Sequence, residues 1–241
     1  MVTLKNAAEY GANLIARRLG YEVRPWRADP LAEGFIGYLE QARQANMDVN
    51  DWQEQRLGWL AARPTLERVV FPRLRQDAVV VELGPGTGRF SRHLAPRLPE
   101  GALRLVDHSP FVVRFLQAYF RDNPRVSVHL NDGASLPFAD DGWADLIFSA
   151  GTLIALSLGT IDLYVRDFFR VLKPRGCAIF DYIDPATPEG WQHLIAQSRY
   201  LRTIYTYHAD SAIERVCQAA GFTVGNRFQE GKSTYLCLSK P

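Results

Sequence analysis

Residues 79–91 read V-V-V-E-L-G-P-G-T-G-R-F-S. Three β-branched residues, Val79, Val80 and Val81, make an apolar run suited to a strand buried on both faces. Glu82 and Leu83 close the run, and Gly84, Gly86 and Gly88 then alternate through a turn. Residues 89–98 read as the following helix. Glycine at such a turn permits positive φ and close approach of a ligand to the backbone. The helix N-terminus adds free N–H groups and the positive end of a dipole. Strand, glycine turn and helix in this order predict a nucleotide-type binding site; without a ligand, they would be a tight turn only.

The spacing narrows the ligand. The dinucleotide fingerprint is G-x-G-x-x-G. Here the third glycine comes one residue early, and Arg89 stands where the last glycine would be. Glu82 lies two residues before the first glycine. E-L-G-P-G-T-G resembles motif I of the class I S-adenosylmethionine (SAM) dependent methyltransferases. That resemblance implies SAM contacts from Glu82, Gly84, Pro85, Gly86, Thr87 and Gly88. It covers about residues 79–239.

Composition sets bounds on the rest. The chain has 241 residues, 47% of them hydrophobic, enough for one large α/β domain with helical additions. The formal net charge is +2, with no basic run of five, so nothing calls for nucleic acid or an anionic membrane. Residues 1–13 carry Lys5 and Glu9 and do not read as a secretory signal. The longest uncharged stretch, 146–161, is too short for a bilayer span and is broken by Ser149, Gly151, Thr152, Ser157 and Gly159. Cys177, Cys217 and Cys237 are odd in number and set in apolar segments. They read as reduced, buried thiols of a cytoplasmic protein, with no disulfide frame and no metal site.

Residues 1–75 read as a helical cap or lid packed on a core at 76–241. Helices are expected over 4–19, 31–46 and 65–74, with another capped by Asn50 or Asp51 and running through Trp52, Leu57 and Trp59. In the core, 102–106 reads as a second strand that ends at Asp107 and is followed by His108 and Ser109, the three being expected cofactor contacts. An acidic residue there, about 20 residues past the glycine turn, is where this class of fold holds a ribose. The alternative is that Asp107 caps the next helix, at 109–121, although Ser109 could serve as that cap. Residues 125–130 read as the third strand, followed by Asp132, Gly133 and Ala134. The resemblance implies an adenine contact here; otherwise it is an ordinary Asp-Gly turn. Residues 144–149 read as the fourth strand, and the resemblance implies that Ser149, Ala150 and Gly151 lie beside the sulfonium.

A helix is expected over 160–172, then a turn. L-K-P-R-G-C-A-I-F-D is similar to the family's L-K-P-G-G stretch before a fifth strand, here 177–182. An acceptor-side insertion spans about 183–208, followed by a helix at 209–220 and two strands, 222–228 and 233–238, joined at 229–231. The implied fold is a Rossmann-like seven-stranded sheet in the order 3-2-1-4-5-7-6, with the last strand antiparallel.

An alcohol acceptor needs a base unless it ionises easily. Many small-molecule members of the family carry a His shortly after the fourth strand; Ile154 and Ala155 stand there instead. The remaining candidates are His208, His193 and Asp181, with His108 behind them. No Asn/Asp-Pro-Pro-Tyr/Phe motif or Pro-Cys nucleophile marks a nucleic-acid base as acceptor. Ser149 replaces the metal-binding Asp of catechol-type members, so no metal is expected. The phrase at 18–23, R-L-G-Y-E-V, resembles methyltransferases encoded with surface-glycan pathways. The resulting expectation is SAM-dependent methylation of a small molecule, an O-methylation of a sugar or secondary-metabolite hydroxyl. The alternatives are N-methylation, a protein acceptor, a non-catalytic partner protein of the same fold, and an NAD(P)-dependent oxidoreductase.

Overall fold

The computed structural model describes residues 30–56, 62–198 and 204–241. The expected helix at 4–19 and the positions Leu57 and Trp59 lie outside them. The described residues begin with three helices: α1 (Pro30–Gln44), α2 (Val49–Arg56) and α3 (Ala62–Val69). The parallel strands follow: β1 (Val79–Leu83), β2 (Ala102–Asp107), β3 (Val126–Leu130), β4 (Ala144–Ser149) and β5 (Leu172–Tyr182). Between them run α4 (Ser91–Leu94), α5 (Pro110–Tyr119) and α6 (Leu158–Val171). After β5 come α7 (Pro188–Gln197), α8 (Asp210–Ala219) and the hairpin β6 (Thr223–Glu230) and β7 (Ser233–Ser239).

The sheet order is 3-2-1-4-5-7-6, as expected, with β7 antiparallel to both of its neighbours. Alternation along β1 sorts its side chains to two layers. Val81 and Leu83 face Ile161, Val165 and Phe168 of α6 and Ile213 of α8. Val80 faces the other layer, with Leu116 of α5, Leu94 of α4 and Leu66 and Val69 of α3. Leu66 and Val69 are fully buried. Each contributes about 1.5–3 kcal/mol by leaving water, so α3 is part of the core layer.

Several boundaries differ from the sequence reading, each for a local reason. The helix expected over 89–98 is only Ser91–Leu94 and continues as a 3₁₀ turn, Ala95–Arg97. Pro96 has no N–H to donate back into a longer helix. Pro72 acts likewise on the helix expected over 65–74: α3 ends at Val69, and a 3₁₀ turn, Phe71–Arg73, follows. Helix α2 is capped by Asp48, which accepts from the Asn50 N–H at 2.8 Å, and not by Asn50 or Asp51. Strand β5 starts at Leu172 instead of 177, because Leu172 pairs with Ala144 before an irregularity shifts the register.

That irregularity contains Arg175 at φ 64°, where the related stretch has glycine. A left-handed backbone costs a residue with a Cβ about 1–2 kcal/mol. Glycine relieves that strain but gives back part of the gain through its freer unfolded chain. Arg175→Gly should therefore raise unfolding free energy by up to about 1 kcal/mol in urea titration. A loss of stability would show that the Arg175 side chain contributes more to the fold than its backbone costs.

Candidate functional site

The loops after β1, β2, β3 and β4 gather at the C-terminal edge of the parallel strands. The sheet order reverses between β1 and β4, which is where open α/β sheets form a ligand crevice. Gly84 lies in that crevice with φ 67°. A Cβ on it would fall 1.9 Å from Thr152 Oγ1, in the loop after β4. Thr152 instead donates to Gly84 O at 3.2 Å. Gly84 is thus explained by the contact between the two loops. Gly86, at φ 56°, is different: a Cβ there would meet nothing within 4 Å. Its bare backbone borders open space, and its packing gives no reason for the missing side chain. Gly88 packs against Phe120 and Leu116.

Glu82 is buried and accepts from Ser91 Oγ at 2.7 Å. Burial pushes its carboxyl up to about 7, against the opposing pull of Ser91 and the Arg89 charge. Thr87 carries a contact that the sequence reading missed. Its hydroxyl lies 2.6 Å from Asn50 Oδ1 and 2.6 Å from the Gln53 amide, both on α2 and both buried. A hydroxyl has one proton, so one amide accepts it and the other donates through its NH₂ group. Asn50 Nδ2 also donates to Thr87 O at 3.1 Å. Helix α2 is therefore fastened directly onto the glycine turn. V-N-D-W-Q-E-Q-R buries Val49 and Trp52 in an apolar cluster as well as Asn50 and Gln53, and no local pattern marks the polar contact to Thr87.

Asp107 ends β2 nearly buried, with Oδ1 accepting the Ser109 N–H at 2.9 Å. The helix cap is Ser109, whose hydroxyl accepts from Val112 N. His108 is exposed, with Nδ1 3.7 Å from Asp107 Oδ1. Gly133, after β3, approaches His108, and a Cβ there would lie 3.8 Å from the His108 Cβ. The loops carrying Asp107 and Asp132 thus meet. Asp132 is exposed and accepts from the Ala134 N–H, the Ser135 N–H and the Ser135 hydroxyl at 2.8–2.9 Å. Those bonds hold its carboxyl below the usual range.

Ser149 is fully buried and donates to Leu83 O at 2.9 Å, tying β4 to β1. Ala150 is half-buried, and Gly151 donates its N–H to Asp181 Oδ1 at 2.8 Å. The other Asp181 oxygen accepts from Ser233 Oγ at 2.8 Å. Burial raises the Asp181 carboxyl, while Ser233, the Gly151 N–H and Lys232 oppose the rise. Asp181 clamps the loop after β4 to β7.

His193 lies on α7, with Nδ1 3.0 Å from Tyr207 Oη and its ring edge-on to Tyr205 at 4.6 Å. Lys232 Nζ stands 5.0 Å from the Tyr205 ring centre. Burial raises the Tyr205 hydroxyl, with a further contribution from Tyr38 of α1. Burial lowers the His193 imidazole, and Lys232 lowers it further. This cluster joins α1, α7 and the β6–β7 hairpin. His208 stands apart from it: Nε2 is 2.9 Å from Leu156 O and 3.1 Å from Thr206 Oγ1. A carbonyl only accepts, so His208 Nε2 carries a proton. No group of three metal-ligating side chains occurs among the described residues, and none of their helices is long and apolar enough to cross a membrane.

A Rossmann-like sheet in this order, with a glycine turn at its switch point, defines an α/β protein of the methyltransferase fold. A family model described as a methyltransferase domain matches residues 80–176. The malonyl-[acyl-carrier protein] O-methyltransferase of Methylococcus capsulatus is 26% identical over 156 residues, covering 61% of this chain and 52% of the relative. The chain thus spans about half the length of that curated relative. A SAM-dependent methyltransferase from Methanosarcina mazei superposes with a TM-score of 0.60 at 14% identity, covering 72% of this chain and 97% of that one. Magnesium protoporphyrin IX methyltransferase from Synechocystis PCC 6803, solved with bound SAH, gives 0.60 at 16% identity, covering 75% and 79%. Residues 80–176 thus match a methyltransferase domain, and the fold is that of SAM-dependent methyltransferases, whose methyl donor is SAM.

The residues present fit that cofactor. Gly86 leaves a cradle that a Cβ would intrude on, and nearly buried Asp107 presents a carboxylate at the end of β2.

The buried Glu82 carboxyl generates a pH prediction. Its folded pKa, about 7, lies above the ordinary 4.5. Its contribution to stability is therefore complete below about pH 4.5 and is lost as pH rises to about 7, a change of roughly 3 kcal/mol. Glu82→Gln should flatten that decline in urea titrations at about pH 5 and about pH 8. A variant that declines as steeply as the wild type would place the pH dependence elsewhere.

Proposed function

We propose that this chain is a SAM-dependent methyltransferase acting on a small-molecule acceptor, an O-methyltransferase for a sugar or secondary-metabolite hydroxyl. The observation that carries the reading is the open Gly86 cradle, set between Asp107 on one side and the Gly151 loop on the other. The printed name of the Methylococcus capsulatus relative, an O-methyltransferase, supports oxygen as the accepting atom. The chain's modest net charge and the aromatic lining of the opposite wall support a small acceptor.

In this reading the Gly86 backbone receives the methionine part of SAM. Asp107 accepts hydrogen bonds from the ribose hydroxyls, and the 132–134 loop meets the adenine. Bound SAM supplies a methyl group on a sulfonium, a good leaving group. The protein's work is then to align the acceptor and exclude water. Asp181 holds Gly151, and with it the floor beside that methyl. The acceptor enters between α1 and α7. His193 is the general base: its Nδ1–H donates to Tyr207 Oη, leaving the Nε2 lone pair to take the acceptor's proton. His208 and Asp181 serve as positioning groups, because their polar atoms are engaged with the scaffold.

Calorimetric titration with S-adenosylhomocysteine and, separately, NADH tests the donor. Binding of the first with no response to the second is expected; the reverse would make the chain an oxidoreductase. Asp107→Ala should weaken S-adenosylhomocysteine binding by about 1–3 kcal/mol, and unchanged affinity would remove Asp107 from the ribose site.

With an acceptor in hand, His193→Gln should lower kcat about 100- to 10,000-fold and leave donor affinity intact. Burial and Lys232 depress the His193 pKa, so the base stays neutral to lower pH than ordinary imidazole. The acidic limb of the kcat profile should accordingly fall below about pH 6.5 and vanish in the variant. A limb unchanged in His193→Gln would assign the base to another group.

A further inference from the structure

A second cleft opens at the opposite edge of the sheet, where β1, β4 and β5 begin. It has a volume of about 480 Å³, with a floor that includes Ala78, Leu146, Cys177 and Ser239. A space of this size suits a small ligand. Its rim carries four cations from two segments: Arg73 and Arg75 before β1, and Lys173 and Arg175 within β5. The nearby carboxylates are Asp145, in the cleft, and Asp77 beside it.

Those two carboxylates are already engaged. Asp145 Oδ2 accepts from the Val79 N–H at 2.8 Å and from Lys173 Nζ at 2.9 Å. Asp77 takes two hydrogen bonds from Arg75, at 2.9 and 2.7 Å, and Arg75 Nη1 also reaches to 3.9 Å from Asp145. Arg73 donates to Val69 O at 3.2 Å, and its guanidinium lies 5.9 Å from the Phe228 ring centre. Neither Arg73 nor Arg175 has a carboxylate within ion-pair reach among the described residues. The cleft therefore holds two surplus guanidinium groups.

Arg175 is the more telling of the two. Its backbone adopts φ 64°, a conformation that favours glycine, and its side chain is exposed. The fold does not require an arginine at this turn; glycine would satisfy it better. The turn thus sets an exposed guanidinium at the rim of the cleft at a cost to the backbone.

We propose that this cleft binds a small phosphate-bearing anion, separate from the glycine-turn site. A guanidinium fork matches phosphate oxygens in both charge and geometry, and two of them border this cleft. The chain's net charge of +2 and the compactness of the cleft favour a small anion over a polyanion, which would need an extended basic surface. The inference is independent of the methyltransferase reading, since the two clefts lie at opposite edges of the sheet.

The test uses the full chain and inorganic pyrophosphate as probe, followed by calorimetry, with S-adenosylhomocysteine titrated in parallel. Saturable single-site pyrophosphate binding is expected in the wild type. Arg175→Gly should weaken it about tenfold or more, as loss of a charge-assisted pair predicts. The substitution removes the cation while easing the backbone, and unchanged S-adenosylhomocysteine affinity in the same variant would verify its fold. If that affinity changes, Arg175→Lys replaces it, with weakened pyrophosphate binding again expected from loss of the fork. Equal pyrophosphate affinity in wild type and variants would overturn the proposal, as would displacement by S-adenosylhomocysteine or absence of saturable binding. A single-stranded RNA oligomer forms the last arm. If it binds more tightly than pyrophosphate and depends on Arg175, the site is for nucleic acid and the small-anion proposal fails.

Discussion

Gly84 and Thr152 touch because one of them has no side chain. The loops after β1 and β4 must meet at the switch point, and any Cβ at position 84 would overlap the Thr152 hydroxyl. With that contact made, other features follow. Thr152 bonds to the Gly84 carbonyl, Ser149 bonds to the Leu83 carbonyl, and Gly151 is left aimed at Asp181. Asp181 then reaches across to Ser233 on β7. A chain of short polar contacts thus runs from the glycine turn to the far half of the sheet. The Ser149–Leu83 and Asp181–Ser233 links are buried, so an unpaired partner there would be costly, and they hold the half-buried links between them in place.

A second fastening comes from the other direction. Asn50 and Gln53 bring α2 down on Thr87, while Arg92 pairs with Asp51 at 2.7 Å at the rim of the same junction. The glycine turn is thereby held between the sheet below and a helix above. A ligand approaching Gly86 meets a backbone already fixed by its neighbours, so little ordering remains to be done on binding.

Most of the sheet was legible in the sequence because its strands are short apolar runs with few other readings. Val79–Leu83 and Ala144–Ser149 fall where the residues alone put them, Asp107 at the end of β2 follows from spacing, and Asp132 after β3 was singled out by the resemblance. The helix ends were less legible. Pro72 and Pro96 do not abolish helix but convert its last turn to 3₁₀, and the hydrophobic period cannot distinguish the two. The start of β5 was missed because Lys173–Gly176 has turn composition yet pairs at Leu172. The Asn50–Thr87 contact could not be read, since it links polar residues 37 apart with no local pattern. The cluster around His193 was legible only as a list of residue types at 183–208. Its joining of His193, Tyr207 and Lys232 depends on tertiary geometry.

The place of β7 between β5 and β6 has a consequence for how the molecule is made. β6 is synthesised before β7 but cannot join the sheet until β7 is there to pair with it. During translation the growing chain therefore presents β5 as a bare edge, a surface prone to pairing with other chains. Asp181 lacks Ser233 throughout that interval. The cluster of Lys232, Tyr205 and His193 is among the last parts to assemble, after the crevice at the switch point has every residue it needs.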